Sequence, residues 1–232
     1  MASGRRLPIC LDLVPHIDHR YGGLTTSVPK LGAALAATGR YQSRMAAFCT
    51  PAEMAAPAPP GGGQVSLFPM GRLRWIWDGK LKAELAEQIR AADVVHIHGL
   101  WQEHCTAGGS LCQQLRKPYV VSAHGMLDPW SLNHKRLKKM LYLRFGHRAY
   151  MARASCLRAL TASEIEDYRS VGLRNRAVLI PNGIEEPPGA DPREFLEKYP
   201  HLRNRKLLLF LGRLHHKKGA DILLEVWSRL RS

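Results

Sequence analysis

The chain has 232 residues, 45% of them hydrophobic, enough apolar material for one or two folded domains and too much for a largely disordered chain. Lys and Arg number 34 against 19 Asp and Glu, a net charge of +15, so phosphorylated ligands, acidic membrane surfaces or nucleic acid are the natural partners. The five cysteines form no CxxC pair and no apolar run reaches the ~20 residues of a membrane-spanning helix, which argues against a disulfide scaffold, a structural zinc site and an integral membrane protein.

The first apolar run, Leu7–Val14, reads as a strand, and Asp12 inside it argues against a signal peptide. Leu24, Val28, Leu31 and Leu35 follow at helical spacing, and Pro29 places the helix start at Thr25–Ser27, because proline is tolerated only near the first turn. Arg44–Cys49 reads as a strand, 51–63 as a Pro/Gly/Ala loop, Val65–Phe68 as a strand and Gly79–Arg90 as an amphipathic helix. Further strands are expected at Val94–His98, Tyr119–Ala123, Leu157–Thr161 and Ala177–Ile180, with helices at Glu103–Leu115, His134–Ala152 and Ser163–Val171. Alternating strands and helices at this spacing predict an α/β fold, a Rossmann-like parallel sheet with helices on both faces, binding ligands at the carboxyl ends of its strands. Residues 1–180 form this domain and 181–205, opening with Pro181-Asn182-Gly183, read as a linker. The run Lys206–Leu211 is apolar on both faces, as in a central parallel strand, and a helix follows at Lys218–Arg231. One strand and one helix bury no core, so 206–232 are expected to be the first strand–helix unit of a truncated second domain.

Several residues stand where such a sheet does chemistry. Gly22 and Gly23 lie between the first strand and first helix, where backbone can approach an anion at the helix N-terminus; a plain tight turn is the simpler account. His96 and His98 alternate on one strand face, with Trp101 just beyond the strand end, so His98 is placed at a binding edge and His96 reads as a core histidine. With His104 and Cys105 close behind, a metal is conceivable, but the spacing matches no zinc motif, and no metal is expected. His124 ends another strand and is suited to proton donation or relay. Between Pro129 and Ser163 there is no acidic residue, while Lys135, Arg136, Lys138, Lys139, Arg144, Arg148, Arg153 and Arg158 are interleaved with Leu137, Met140, Leu141 and Tyr150. That is the pattern of a basic amphipathic surface, for membrane or nucleic acid, unless the apolar stripe packs on the sheet. It lacks an aromatic ladder or helix-turn-helix pattern, so nucleic acid is not expected. Arg213 and Lys218 place cations at a helix start, against its dipole, as an anion held there would require.

Gly22-Gly23, HIHGLWQEH (96–104), SAHGMLDPW (122–130), TASEIEDYRSVGL (161–173), LIPNGIE (179–185) and FLGRLHHKKGADILLEVW (210–227), in that order, resemble the family-four retaining glycosyltransferases. These have the GT-B architecture of two Rossmann-like domains facing a cleft. The likeness is greatest to bacterial enzymes that build exopolysaccharide, capsule or lipopolysaccharide. The resemblance implies transfer of a sugar from a nucleotide-diphosphate sugar to a glycan or lipid-linked acceptor, without a cofactor. Gly22 and Gly23 would approach the donor's phosphate, His124 would contact the transferred sugar, and Arg213 and Lys218 would neutralise the diphosphate. His98, Trp101 and Glu164 would bind acceptor. Lys135, Arg136, Lys138 and Lys139 would touch anionic membrane, placing a cytoplasmic protein on the inner face of the cell membrane. The family's late paired-glutamate motif does not occur, so the expected object is a first domain with the start of a second, weakly active as it stands. The alternative is a stand-alone, non-catalytic domain that binds acceptor or membrane.

Overall fold

The structure is a computed structural model that describes residues 6–18, 22–54, 64–70, 78–184, 189, 191–212, 214 and 218–230. The chain divides into two compact units, Met1–Gly183 and Ile184–Ser232.

Unit one is built on seven parallel strands: β1 (Ile9–Val14), β2 (Gln42–Cys49), β3 (Gln64–Pro69), β4 (Val94–His98), β5 (Tyr119–Ser122), β6 (Cys156–Ala159) and β7 (Ala177–Leu179). Their order is β3-β2-β1-β4-β5-β6-β7, so the direction of winding reverses between β1 and β4. Strand alternation divides the sheet into two faces. Ile9, Leu11, Leu13, Ala46, Phe48, Val95, Ile97, Val121, Leu157 and Ala159 build the main core on one face. On the other, Val14, Val28, Met45, Ala47 and Cys49 form a smaller core under β1 and β2. Across β1, β4, β5 and β6 the same face carries a row of polar residues, Asp12, His96, His98, Ser122 and Arg158. Register places Asp12 beside His96, His98 beside Ser122, and Ser122 beside Arg158.

The helices are α1 (Leu24–Ala37), α2 (Pro51–Met54), α3 (Gly79–Ala91), α4 (Glu103–Gln114), α5 (Pro129–Asn133), α6 (Arg136–Tyr142), α7 (Arg148–Ala152) and α8 (Ala162–Ser170). Helix α1 starts at Leu24, ahead of the predicted Thr25–Ser27, with Gly23 as its cap and Pro29 inside it. The buried proline forgoes one backbone bond and packs in the core, as tertiary contacts allow. The loop expected at 51–63 begins as α2, because Glu53 accepts from the backbone N–H (2.8 Å) and hydroxyl (2.8 Å) of Thr50; residues 55–63 lie outside the described residues. The single helix expected over His134–Ala152 is two α-helices, α6 and α7, joined by a π-helical turn, with the short α5 ahead of them. Lys135 at φ +59 separates α5 from α6, and a π-helical turn at Leu143–His147, with Gly146 at φ +148, separates α6 from α7. Those backbone angles are incompatible with one continuous helix.

Unit two holds α9 (Pro192–Lys198), a 3-10 turn at Pro200–Leu202 and α10 (Ala220–Leu230), so helix occurs within 181–205. Asp191 caps α9 by accepting the Arg193 N–H at 2.9 Å. No described residue of this unit is buried, and Leu209 and Leu211 are 81% and 90% exposed. The predicted strand Lys206–Leu211 forms no ladder among the described residues, because a strand needs a neighbour to receive its backbone hydrogen bonds.

Candidate functional site

The polar row on the second face of the sheet runs beneath the carboxyl ends of β1, β4 and β5, beside the reversal point where such sheets bind ligands. Asp12 is wholly buried at the middle of β1. Its Oδ1 accepts from His98 Nε2 at 2.9 Å, and His98 Nδ1 meets His124 Nε2 at 3.1 Å. His96 lies alongside, with Nε2 2.8 Å from Ser122 Oγ and Nδ1 3.6 Å from Asp12 Oδ1. The second Asp12 oxygen, Oδ2, has no hydrogen-bond partner among the described residues.

Burial sets the protonation states. Desolvation raises the Asp12 carboxyl to about 6 and lowers His98 and His124 to about 3, so near pH 7 the carboxylate is ionised and both imidazoles are neutral. His96 is also held well below the usual histidine range by burial. The hydrogens of the Asp12–His98–His124 file then have one consistent arrangement. His98 donates Nε2–H to Asp12, its bare Nδ1 accepts from His124 Nε2–H, and His124 is left with an acceptor at Nδ1. His124 has φ +54, a conformation rare outside glycine that turns its loop at the end of β5.

The loop is braced from the far side. Glu164, 3% exposed, accepts the Gly125 N–H on Oε1 and the Leu160 N–H on Oε2, each at 2.6 Å. Thr161 Oγ1 caps α8 at the Glu164 N–H. The Tyr168 hydroxyl accepts from Ala123 N–H at 3.1 Å and donates to Arg158 carbonyl at 2.7 Å. Arg158 itself is 5% exposed and donates to the Ile180 and Pro181 carbonyls and to Asn182 Oδ1, bolting down the Pro-Asn-Gly turn.

Of the residues singled out by sequence, His98 and His124 come together directly. His98 is fully buried with both ring nitrogens engaged, so it lies beneath the surface and holds His124. Glu164 likewise has both oxygens on backbone amides of loops. Trp101 sits half-buried at φ +65, its ring 5.2 Å from Lys139 Nζ. Gly22 has φ +110, whereas Gly23 is an ordinary helix cap at φ −60. Lys218 is exposed in unit two, and Arg213 lies outside the described residues. His104 donates to the His98 carbonyl at 3.1 Å. One ligating atom each from Asp12, His96 and His98 lies within 4.8 Å of the others, the spacing of a metal site, although hydrogen bonds already account for the cluster.

The basic surface is exposed. Leu137, Met140 and Leu141 are 84%, 54% and 56% exposed and do not pack on the sheet, whereas Tyr150, the fourth residue of the stripe, is buried in the main core. Lys135, Arg136 and Lys138 share this exposed surface, while half-buried Lys139 turns inward to the Ser131 carbonyl. Arg158 leaves the set because it belongs to the buried row. No described helix is long and apolar enough to cross a membrane.

Residues 22–183, most of unit one, match the family model of the glycosyl transferase 4-like domain. The chain belongs to that family. A search of curated proteins found no match. Among solved structures, this glycosyl transferase 4-like domain is similar to Alr3699/HepE of Anabaena in complex with UDP and glucose. That match has a TM-score of 0.66 at 17% identity, covering 96% of this chain and 58% of that one. It is also similar to a glycosyltransferase of Rickettsia africae (TM-score 0.61, 15% identity, 97% and 57% covered) and to MnaA of S. aureus with UDP (0.52, 15%, 84% and 52%). At these identities the likeness is one of fold, the Rossmann-like α/β architecture of GT-B glycosyltransferases. The chain spans about 58% of the length of HepE.

Proposed function

We propose that this chain provides the acceptor-side domain of a retaining glycosyltransferase. The enzyme moves a hexose from a nucleotide-diphosphate sugar to a glycan or lipid-linked acceptor in cell-surface polysaccharide synthesis. The observation that carries the reading is the Asp12–His98–His124 file in a chain of this family: it presents one neutral imidazole, in one tautomer, at the end of β5. His124 Nδ1 accepts a hydroxyl of the transferred sugar, and the fixed ring orientation spares reorganisation as the oxocarbenium-like transition state forms. Charge developing on the diphosphate is met by Arg213 and Lys218, with Gly22 and Gly23 near the phosphate, so the scheme assigns no step to a metal or cofactor. Trp101 lines the acceptor side. His98 and Glu164 act by positioning the His124 loop.

The surface of α6, with Lys135, Arg136 and Lys138 beside exposed Leu137 and Leu141, rests on anionic lipid where a lipid-linked acceptor is presented; Lys139 contributes from its edge. Nucleic acid is not a partner in this scheme. Because unit two buries none of its described residues, the 232-residue polypeptide is expected to bind donor weakly and turn over slowly. Calorimetric titration with UDP-, GDP- and dTDP-sugars, followed by a radiolabel transfer assay into membrane lipid, tests the reading. Donor binding with transfer that is lost in His124→Ala supports it. Acceptor or vesicle binding with no affinity for any nucleotide sugar would instead establish the non-catalytic domain.

A further inference from the structure

Two neighbouring strands bring Asp12, His96 and His98 together: β1 and β4 pair Asp12 with His96, and His98 follows two residues on, on the same face. His98 Nε2 is 2.9 Å and His96 Nδ1 3.6 Å from Asp12 Oδ1, and the three ligating atoms lie within 4.8 Å of one another. Ligand atoms around a tetrahedral zinc ion, with bonds of about 2.0–2.1 Å, stand about 3.4 Å apart, so side-chain movements of about 1 Å or less would close this triangle on an ion. The far nitrogens are suited to the same role. A histidine that ligates a metal donates its other ring N–H to a neighbouring acceptor. His96 Nε2 is 2.8 Å from Ser122 Oγ and His98 Nδ1 is 3.1 Å from His124 Nε2, so each ring has such an acceptor on its far side. The carboxylate is short of positive charge: Asp12 is buried, and its Oδ2 has no hydrogen-bond partner among the described residues. His96, with 11% of its side chain exposed, is the side from which an ion enters.

We propose that these three side chains form a site for a divalent transition-metal ion of the zinc class, and that the ion reverses the hydrogen arrangement of the Asp12–His98–His124 file. Two imidazoles and one carboxylate select such an ion over Mg²⁺ or Ca²⁺, which take oxygen ligands. Without the ion, His98 donates Nε2–H to Asp12 and accepts from His124 Nε2–H. With it, His98 Nε2 gives its lone pair to the metal and the ring carries its hydrogen on Nδ1. That hydrogen is donated to His124 Nε2, and the His124 hydrogen moves to Nδ1. Each ring keeps one hydrogen, so the file neither gains nor releases a proton. His124 Nδ1 turns from an acceptor into a donor. Arg158, two strands away on the same face, opposes the added charge, which sets the expected Kd near about 1 µM rather than far below it. Under the glycosyltransferase reading above, on which this last step rests, an occupied site switches transfer off; the site adds no metal to the transfer step itself.

The test uses the full chain, stripped with EDTA, and Co²⁺ or Zn²⁺ as probes. One Co²⁺ per chain should bind with the visible d–d spectrum of a tetrahedral nitrogen–oxygen site, and Zn²⁺ should abolish that spectrum. His96→Gln removes one ligand while leaving Asp12, His98 and His124 in place, and should weaken binding by roughly 100-fold or more. Ser122→Ala keeps all three ligands, removes an orienting acceptor and should weaken binding about tenfold, which keeps the test readable if His96→Gln melts early. In 15N-histidine spectra, with His124 assigned by His124→Gln, adding Zn²⁺ should move the His124 proton from Nε2 to Nδ1, and His96→Gln should hold it on Nε2. No one-to-one Co²⁺ spectrum, or one unchanged in both variants, would overturn the site. Binding that leaves the His124 tautomer unmoved would overturn the switch. Transfer assays separate this proposal from the transferase reading. Saturating Zn²⁺ should suppress transfer by the native chain about 10²-fold and leave His96→Gln unaffected, which excludes an action of zinc on the substrate. A zinc-driven tautomer change in a chain that transfers no sugar with or without the ion keeps the site and removes the transferase reading. Transfer indifferent to bound zinc removes the switch alone.

Discussion

Asp12, His96, His98 and Arg158, on β1, β4 and β6, lie on one face of the sheet and out of water, whereas along α6 the charges lie in water and the leucines with them. In the sheet, Asp12 Oδ1 and the rings of His96, His98 and His124 are held by hydrogen bonds of 2.8–3.1 Å, and desolvation shifts each of these imidazoles toward its neutral form. On α6 no described residue is buried, and Leu137 is 84% exposed. The contrast separates two uses of charge. The first stores a defined hydrogen arrangement and is sensitive to single atoms; the second attracts by its sum and is sensitive to count and salt.

The largest effect expected from breaking the buried row is on transfer. A preorganised hydrogen-bonding group of this kind contributes about 10²–10³-fold, so His124→Ala should lower the transfer rate by that order with little change in lipid binding. Asp12→Asn should cost roughly 10²-fold through a different route: an amide facing His98 reverses its tautomer and with it that of His124. Nitrogen chemical shifts of His124 in Asp12→Asn check the route. An unchanged tautomer with lost activity would show that Asp12 acts by packing or charge.

Acid should separate the two regions next. His98 and His124 lie at about 3, His104 and His147 at about 4, and His96 well below its usual value, all through burial. Unfolding frees each to bind a proton, so stability present at neutral pH is lost as pH falls below the ordinary histidine value of about 6.5. Asp12 works the other way between the ordinary aspartate value of 3.8 and about 6, where the folded chain holds the extra proton. The balance near pH 5 is roughly three to four protons taken up on unfolding, or about 4–5 kcal/mol lost per pH unit. Against a total stability of about 5–15 kcal/mol, the fold should fail within roughly one to four units below pH 6. Urea melts from pH 5 to 7 measure the slope. Replacing Lys135 and Lys138 should leave it unchanged, and a flat profile would mean the imidazoles are not desolvated.

Much of this row was legible in advance. Alternation alone puts His96 and His98 on one face, and the βαβ spacing places that face in a parallel sheet. Asp12 was visible only as an interruption of an apolar run, although a carboxylate inside a buried strand demands a partner. Arg158 was counted with the basic surface because its sequence neighbours are basic, yet its place between Leu157 and Ala159 in β6 turns it to the polar face. The hydrogen bond between His16 Nδ1 and Glu53 Oε1 joins residues 37 apart through a short helix that no periodicity reveals. The run Lys206–Leu211 reads as a strand by composition, but ladders are made between segments, and composition describes one segment at a time.

A smaller effect tests the exposed side of the comparison. Each basic residue near an acidic surface contributes about 1 kcal/mol, so Lys135, Arg136 and Lys138 together should hold the chain on anionic vesicles by about 3 kcal/mol, or roughly 10²-fold. The triple change to Glu should abolish co-sedimentation with phosphatidylserine vesicles while the melting temperature stays put. Adding Lys139→Glu should also lower the melting temperature, because that side chain is turned inward to the Ser131 carbonyl. Equal binding to neutral and anionic vesicles would remove the electrostatic account.

The smallest effect concerns the two glycines before α1, which look equivalent in sequence. Gly22 sits at φ +110, where an L side chain is strained, and its carbonyl accepts the Thr25 hydroxyl at 2.8 Å. Gly23 caps the helix at φ −60, and a Cβ built on it meets nothing within 4 Å. Gly23→Ala is therefore compatible with the backbone, removes freedom from the unfolded chain and should stabilise the fold by about 0.4–1 kcal/mol, less any loss as a cap. Gly22→Ala should destabilise it by about 1 kcal/mol or more. If a phosphate rests against the N-terminus of α1, the open space at Gly23 is where it does so. Gly23→Ala should then weaken UDP binding even as the melting temperature rises, because a methyl group occupies the approach to the helix amides. Opposite movements of stability and affinity at Gly23 would assign that glycine to the ligand, and parallel or absent movements would assign it to the turn.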